Sequence, residues 1–128
     1  MKIDLKFLSK FRKMEMEYYV CKACVELSKI YINEENYKEA LKYIEKVDTD
    51  CHLYEDILNE SKHIKNILIK WNDLDSKLKL SIRLYKEGKF QEAFENICEV
   101  VRDSKNFPHL WEQAILIITD MLRDTISN

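Results

Sequence analysis

The chain has 128 residues, 46% of them hydrophobic and 34% charged, and its 21 basic and 23 acidic side chains give a net charge of -2. This length suits one domain with a continuous core, and the composition excludes a disordered or membrane-embedded protein. No net positive field draws such a chain to nucleic acid or anionic lipid. Because Gly88 and Pro108 are its single glycine and proline, we expect an all-α fold.

The first predicted helix runs to about Ile32, with apolar residues spaced by three and four. Its start alternates basic and apolar residues, a pattern that would also suit an anionic membrane surface or RNA: Lys2, Leu5, Lys6, Phe7, Leu8, Lys10, Phe11, Arg12 and Lys13. We interpret this segment as an N-terminal helix with solvated lysines. No apolar run is long enough for a secretory signal or a membrane span, so we expect a cytoplasmic protein.

Turn residues in the sequence predict two helical hairpins. The residues "NEEN" at 33–36 end the first helix and cap a second one that begins near Tyr37. Apolar spacing then predicts helix over residues 53–87, either continuous or broken near Asp73 or Asp75, which could each cap a new helix. Gly88 ends this segment before a returning helix, and Pro108 suits the first turn of a last one.

The second hairpin repeats the first at a distance of 53 residues. "NEENYKEALKYIEKVDTD" at 33–50 matches "KEGKFQEAFENICEVVRD" at 86–103, with apolar and small residues at corresponding positions. Ser28 with Ala40, and Ser81 with Ala93, would allow each pair of helices to approach closely. The repeat therefore predicts two similar helical pairs in which Tyr37 and Phe90 occupy similar environments.

These residues resemble the tetratricopeptide repeats. The first copy supplies Cys24, Leu27, Ser28, Tyr31, Tyr37, Ala40, Ile44 and Val47, and the second supplies Leu80, Ser81, Leu84, Gly88, Phe90, Ala93, Ile97 and Val100. The period is longer than the usual ~34 residues, and the proline that closes each unit is absent. The resemblance implies a short array of antiparallel hairpins in one domain, with unit one at about 1–53, unit two at about 54–106 and a terminal capping helix at about 108–126.

In such repeats the first helix of each pair lines a groove that binds polypeptide. The matching positions here form an apolar floor with basic edges: Lys22, Val25, Lys29, Ile32, Leu78, Ile82, Tyr85 and Lys86. The resemblance thus implies a groove for an amphipathic helix or an extended peptide bearing acidic residues. Val25 and Lys29 stand where the family's chaperone-tail clamp has Lys and Asn, so capture of chaperone C-termini is not expected.

The four cysteines suggest neither a metal site nor disulfides. Cys21 and Cys24 have the spacing of a shared metal or redox pair, but both fall in the apolar helical pattern and no second pair exists. We therefore expect reduced core thiols for Cys21, Cys24, Cys51 and Cys98, with no metal and no cofactor.

One alternative is enzymatic. Arg102 and His109 have the spacing found in the small helical ribonucleases called HEPN domains, to which "RDSKNFPH" is similar. Arginine can pair with phosphate, and histidine titrates near neutrality, so the pair could act on RNA.

The sequence favours a non-enzymatic role. We expect an adaptor, scaffold or partner-stabilising chaperone that binds a protein through the groove or through the apolar C-terminal helix. Apolar residues on more than one face of that helix also predict self-association or a hetero-complex.

Overall fold

The protein consists of five α-helices in the computed structural model, which describes residues 5–127, and no strand occurs in that range. They are α1 (Leu5–Asn33), α2 (Tyr37–Asp50), α3 (Glu55–Lys86), α4 (Phe90–Asp103) and α5 (Pro108–Ser127). The predicted all-α class is confirmed. Part of the basic N-terminal pattern lies outside the described residues, namely Lys2 and the side chains of Leu5, Phe7, Leu8 and Phe11.

The chain divides into two compact units, Met1–Leu68 and Ile69–Asn128. The boundary falls inside α3, which is one continuous helix of 32 residues. The division into repeat units at about 1–53 and 54–106 stays a prediction. Asp75 does not cap a new helix, because α3 runs through this position without a break, and its side chain pairs with Lys79 one turn further along at 3.0 Å. The open choice between a continuous and a broken helix is thereby resolved.

In the first unit, α1 and α2 form a hairpin around a short turn. Glu35 adopts the left-handed conformation, with φ of 60°, and Asn36 accepts a hydrogen bond from the backbone N–H of Glu39 at 3.5 Å. Ser28 and Ala40 are fully buried, and the Ser28 hydroxyl donates to the Ala40 carbonyl oxygen at 3.1 Å. The small side chains therefore allow the close helix approach that their spacing predicts.

The first half of α3 completes the first unit by packing on α1. The Tyr18 hydroxyl donates to Asp56 at 2.8 Å, and the Tyr54 hydroxyl donates to the Met14 carbonyl oxygen at 3.0 Å. Buried side chains on this half of α3 extend the core, namely Ile57, Ile64 and Leu68. The core of this unit is thus built from three helical segments.

A disulfide joins Cys21 on α1 to Cys51 at the end of α2, with the two Cα atoms 6.0 Å apart. The prediction of four reduced thiols is therefore wrong for this pair, while Cys24 and Cys98 are free. Burial was predicted correctly for Cys21 and Cys51, which are 4% and 1% exposed. The pairing escaped prediction because it depends on how α1 and α2 pack, and the 30-residue separation does not show that.

The second half of α3, with α4 and α5, forms the second unit. Gly88, with φ of 82°, ends α3 and lets α4 return. Ser81 and Ala93 are fully buried, and the Asn96 side-chain amide donates to the Ser81 hydroxyl and to the Lys77 carbonyl oxygen, both at 2.7 Å. Phe107, Leu110 and Ala114 complete the core.

The helix bounds of the two units recur at the 53-residue offset of the sequence repeat. α2 and α4 begin and end at this offset, α1 and α3 end at it, and α3 and α5 begin at it. Glu35 and Gly88, whose backbones are left-handed, are separated by the same offset. Buried positions match as well: Val25 and Leu78, Ser28 and Ser81, Ala40 and Ala93, Ile44 and Ile97, Val47 and Val100, Ile57 and Leu110, and Leu68 and Met121. A tetratricopeptide-type array stays a prediction.

Tyr37 and Phe90 break the equivalence. Tyr37 is 6% exposed, whereas Phe90 is 60% exposed, so the prediction of similar environments is wrong. Apolar residues continue along α3 after Leu68 with Trp71, but the position equivalent to Trp71 on α5 holds Asp124. This position thus holds a buried tryptophan in one copy and an exposed aspartate in the other.

Candidate protein-binding surface

An apolar groove of about 610 Å³ opens in the second unit, which we call the α5 groove. Its apolar lining comes from the end of α3, the start of α4 and the last turns of α5: Tyr85, Phe90, Phe94, Met121 and Leu122. Phe90, Phe94 and Leu122 are 60%, 38% and 45% exposed. A cluster of large apolar side chains left open in this way is typical of a binding surface for another protein.

Local structure places these side chains together. Gly88 ends α3, so that Phe90 begins α4 and Phe94 follows one turn later on the same face. Met121 and Leu122 lie in the last turns of α5, where Met121 is buried and forms the floor. The groove is therefore bounded by three helices of one unit.

Tyr85 anchors one wall of the α5 groove. Its hydroxyl donates to the Asp124 carboxylate, and its ring meets Phe90 edge to face, with centroids 5.2 Å apart. The hydrogen bond to Asp124, together with desolvation and the carboxylate charge, raises the pKa of Tyr85 above its ordinary value. Tyr85 thus stays protonated near neutral pH and holds both an apolar wall and a polar rim in place.

A second groove of about 550 Å³ lies on the other side of Tyr85, between α3 and α5. Its lining is amphipathic: Ile82, Tyr85, Lys86, Ile117, Asp120, Met121, Arg123 and Asp124. Because Tyr85, Met121 and Asp124 line both grooves, the two form adjoining depressions on one surface.

The eight predicted groove residues have different environments. Ile82, Tyr85 and Lys86 line the second groove, and Tyr85 also lines the α5 groove. Val25 and Leu78 are 0% and 4% exposed, so they belong to the core and present no surface to a partner. The groove pattern misplaces them because it marks a helix face without showing how deeply that face is buried.

The remaining predicted residues lie in the first unit. Ile32 is half-buried. Lys22 donates to Glu60 on α3 at 2.8 Å, and Lys29 donates to the same carboxylate. Hydrogen bonding from Lys22 and Lys29 lowers the pKa of Glu60, and the hydrogen bond to Glu60 raises the pKa of each lysine. The predicted basic edge is thus neutralised by an acidic residue of the same unit.

Sequence reasoning missed Phe90 and Phe94 as surface residues because they fall in the apolar pattern of the returning helix, whereas it did name the C-terminal helix that carries Met121 and Leu122. One signal was present, since aligning the copies places Asp124 opposite Trp71. A charged residue in an otherwise apolar stripe indicates that the helix is exposed to solvent at that position.

A larger groove of about 930 Å³ lies in the first unit beside α1. Its lining surface is mostly apolar, with Met16, Val20 and Cys21 among its members, and it also includes the basic residues Arg12 and Lys13. It contains no aromatic side chain, so despite its volume it offers fewer large anchors than the α5 groove.

The residues considered for a ribonuclease site or a metal site are exposed or already paired with another side chain. Arg102 donates to its neighbour Asp103 at 3.2 Å, and His109 faces Glu112 at 4.0 Å, with about two-thirds of each basic side chain exposed. Cys21 takes part in the disulfide, so it cannot share a metal with Cys24 in this state. Within residues 5–127 no group of three or more His, Cys, Asp or Glu is arranged to hold a metal ion.

Comparison with protein-family models, with curated proteins and with solved structures returned no match. Among the described helices, none combines the length and the apolar character needed to cross a membrane.

Proposed function

We propose that the protein is a non-enzymatic interaction module, an adaptor or scaffold, that binds a polypeptide through the α5 groove. The observation that carries this proposal is the exposure of Phe90, at 60%, beside Phe94 and Leu122. Burying one large apolar side chain is worth about 1.5–3 kcal/mol, so three exposed anchors offer enough energy to hold a partner.

The occupant that fits is the apolar face of an amphipathic helix. Such a face presents side chains at spacings of three and four, which can enter a groove bounded by α4 and α5. The adjoining groove offers Lys86, Arg123 and Asp120 to polar residues at the edge of that helix. The proposed site thus keeps the predicted role of the C-terminal helix. It does not use the predicted basic edge on α1, whose lysines pair with Glu60.

The experiment compares native partners isolated with the wild-type chain and with Phe90→Asp. We expect the specific partner to be lost with Phe90→Asp and kept with Leu116→Asp, a matched control on α5 whose side chain is 65% exposed and outside the α5 groove. Titration of the purified partner should show affinity reduced at least about tenfold. Equal binding by both variants would refute the assignment of the groove.

A cytoplasmic location is part of this proposal. The Cys21–Cys51 disulfide favours an oxidising environment, but both sulfurs are buried, and burial restricts access by reductants. A ribonuclease remains the alternative proposal. Cleavage of RNA by the wild type and its loss in His109→Ala would replace the binding role with an enzymatic one.

A further inference from the structure

An unpartnered apolar stripe runs along α1 on the side opposite its buried face, and we call it the α1 seam. It consists of Met16, Val20, Ala23, Leu27 and Ile30. Met16, Val20 and Ile30 are 67%, 52% and 51% exposed. Ala23 is exposed and Leu27 is half-buried.

The spacing of the α1 seam is that of a helix that packs against another helix. Its members are separated by four, three, four and three residues, which is the heptad pattern of a coiled-coil interface. The buried residues Cys21, Val25 and Ser28 face the other way, into the core of the first unit. The seam is thus a second apolar face that the core of the unit does not use.

The second copy of the repeat keeps only two of these five apolar positions, Ile69 and Leu80, so the stripe is interrupted there. At the 53-residue offset, Val20, Ala23 and Ile30 correspond to Asp73, Ser76 and Arg83. Since the two copies share their core positions, the seam is not required by the shared helical packing. It therefore belongs to a contact that α1 alone makes.

We propose that the α1 seam is the interface of a homodimer in which α1 of a second copy packs antiparallel against it. Charges at the two ends of the seam select this partner and this orientation. Arg12 and Lys13 precede the seam and Glu34 follows it, and all three are exposed. Antiparallel packing brings Arg12 and Lys13 near Glu34 of the other copy, whereas parallel packing places each of these residues beside its own like-charged counterpart.

The side chains of the seam also fit their own twofold image. With the axis between Val20 and Ala23, Val20 faces the second copy's Ala23, and Met16 faces its Leu27. Near the axis the small Ala23 then opposes the larger Val20, which lets the two helices approach closely, while the long side chains of Met16 and Leu27 meet further out. The pairing is isologous and closes after two chains, so it produces a dimer and not a filament.

The first test is sedimentation equilibrium of the full chain over a range of concentrations. We expect reversible dimerisation, with the dissociation constant raised at least about tenfold by Ala23→Glu, which places like charges near the axis. The matched control is Ser76→Glu at the equivalent exposed position of the second copy, and it should stay within about twofold of the wild type. Circular dichroism verifies that both variants fold.

The second test concerns orientation. Arg12→Glu with Lys13→Glu should weaken the dimer, and adding Glu34→Lys should restore it, because the opposite ends are then complementary again. A wild-type chain that is monomeric up to roughly 100 µM would overturn the proposal, as would a dimer that Ala23→Glu leaves intact. If Arg12→Glu with Lys13→Glu weakens the dimer and adding Glu34→Lys does not restore it, the antiparallel orientation is wrong. The Phe90→Asp experiment reports on the other unit, so the two proposals can fail separately.

Discussion

Glu60 shows how one side chain changes the meaning of a predicted site. Lys22 and Lys29 have the spacing of a basic groove edge, yet both donate to Glu60 across the contact between α1 and α3. Lys29 also lies 3.2 Å from Glu26 on its own helix. These lysines therefore stabilise the first unit, and their charges are already compensated.

Glu60→Gln tests this role. Because its pKa is held below the ordinary value of 4.5, Glu60 contributes stability above that pH and loses the contribution as the pH falls through its folded-state pKa. The raised pKa values of Lys22 and Lys29 keep their contribution present until strongly alkaline pH. We expect the variant to melt about 2–4 °C lower at neutral pH, a small effect because the lysines are over 40% exposed.

Thermal melts between about pH 3 and pH 8 provide the measurement. The gap between the wild type and Glu60→Gln should close toward the acidic end, where the carboxyl is protonated. Glu45→Gln, at an exposed position of α2, is the control and should melt like the wild type throughout. A gap that persists at the acidic end would contradict the ion-pair explanation.

At the scale of elements, local patterns predicted most of the fold. The "NEEN" turn, Gly88 and Pro108 gave correct helix ends because caps and left-handed residues act within a few positions. The Cys21–Cys51 bond, the exposure of Phe90 and the burial of Leu78 were not predicted, since each depends on which helices pack together. Periodicity shows that a face is apolar but not what covers it.

The 53-residue offset predicts where a second disulfide could join α3 to the end of α4. Leu74 and Ser104 hold the positions equivalent to Cys21 and Cys51, and both are buried. The Ser104 hydroxyl has no hydrogen-bond partner among the described residues, so replacing it should cost little. If the second unit copies the geometry of the first, Leu74→Cys with Ser104→Cys will form a disulfide.

Thiol titration under denaturing, non-reducing conditions measures the outcome. The wild type should show the two free thiols of Cys24 and Cys98, and the double variant should also show two, because its new pair is oxidised. Leu74→Cys alone should show one thiol more and serves as the control. Four free thiols in the double variant would mean that the offset does not extend to side-chain geometry.

At the scale of the whole molecule, the two proposals assign one association surface to each unit. The first has the α1 seam and the second has the α5 groove, and α3 is the element that both units share. A dimer formed through the seam would leave two α5 grooves available, one per chain. A partner that itself carries two binding segments would then bind bivalently, and its apparent affinity would depend on dimerisation.

The continuity of α3 should therefore determine whether the units unfold together. Ile69 begins the second unit on α3 and is 46% exposed, so replacing it removes little packing. Ile69→Pro removes a backbone hydrogen bond and introduces a clash with the preceding turn, at about 3 kcal/mol or more. We expect melting to fall by roughly 10 °C and the single transition to separate into two.

Circular dichroism and calorimetry measure these effects. Ile69→Ala is the control, because it removes the same side chain without interrupting the helix, and it should keep one transition near that of the wild type. If Ile69→Pro also melted in one unshifted transition, α3 would not couple the two units. Two transitions in the proline variant alone would show that the shared helix makes two similar units one cooperative protein.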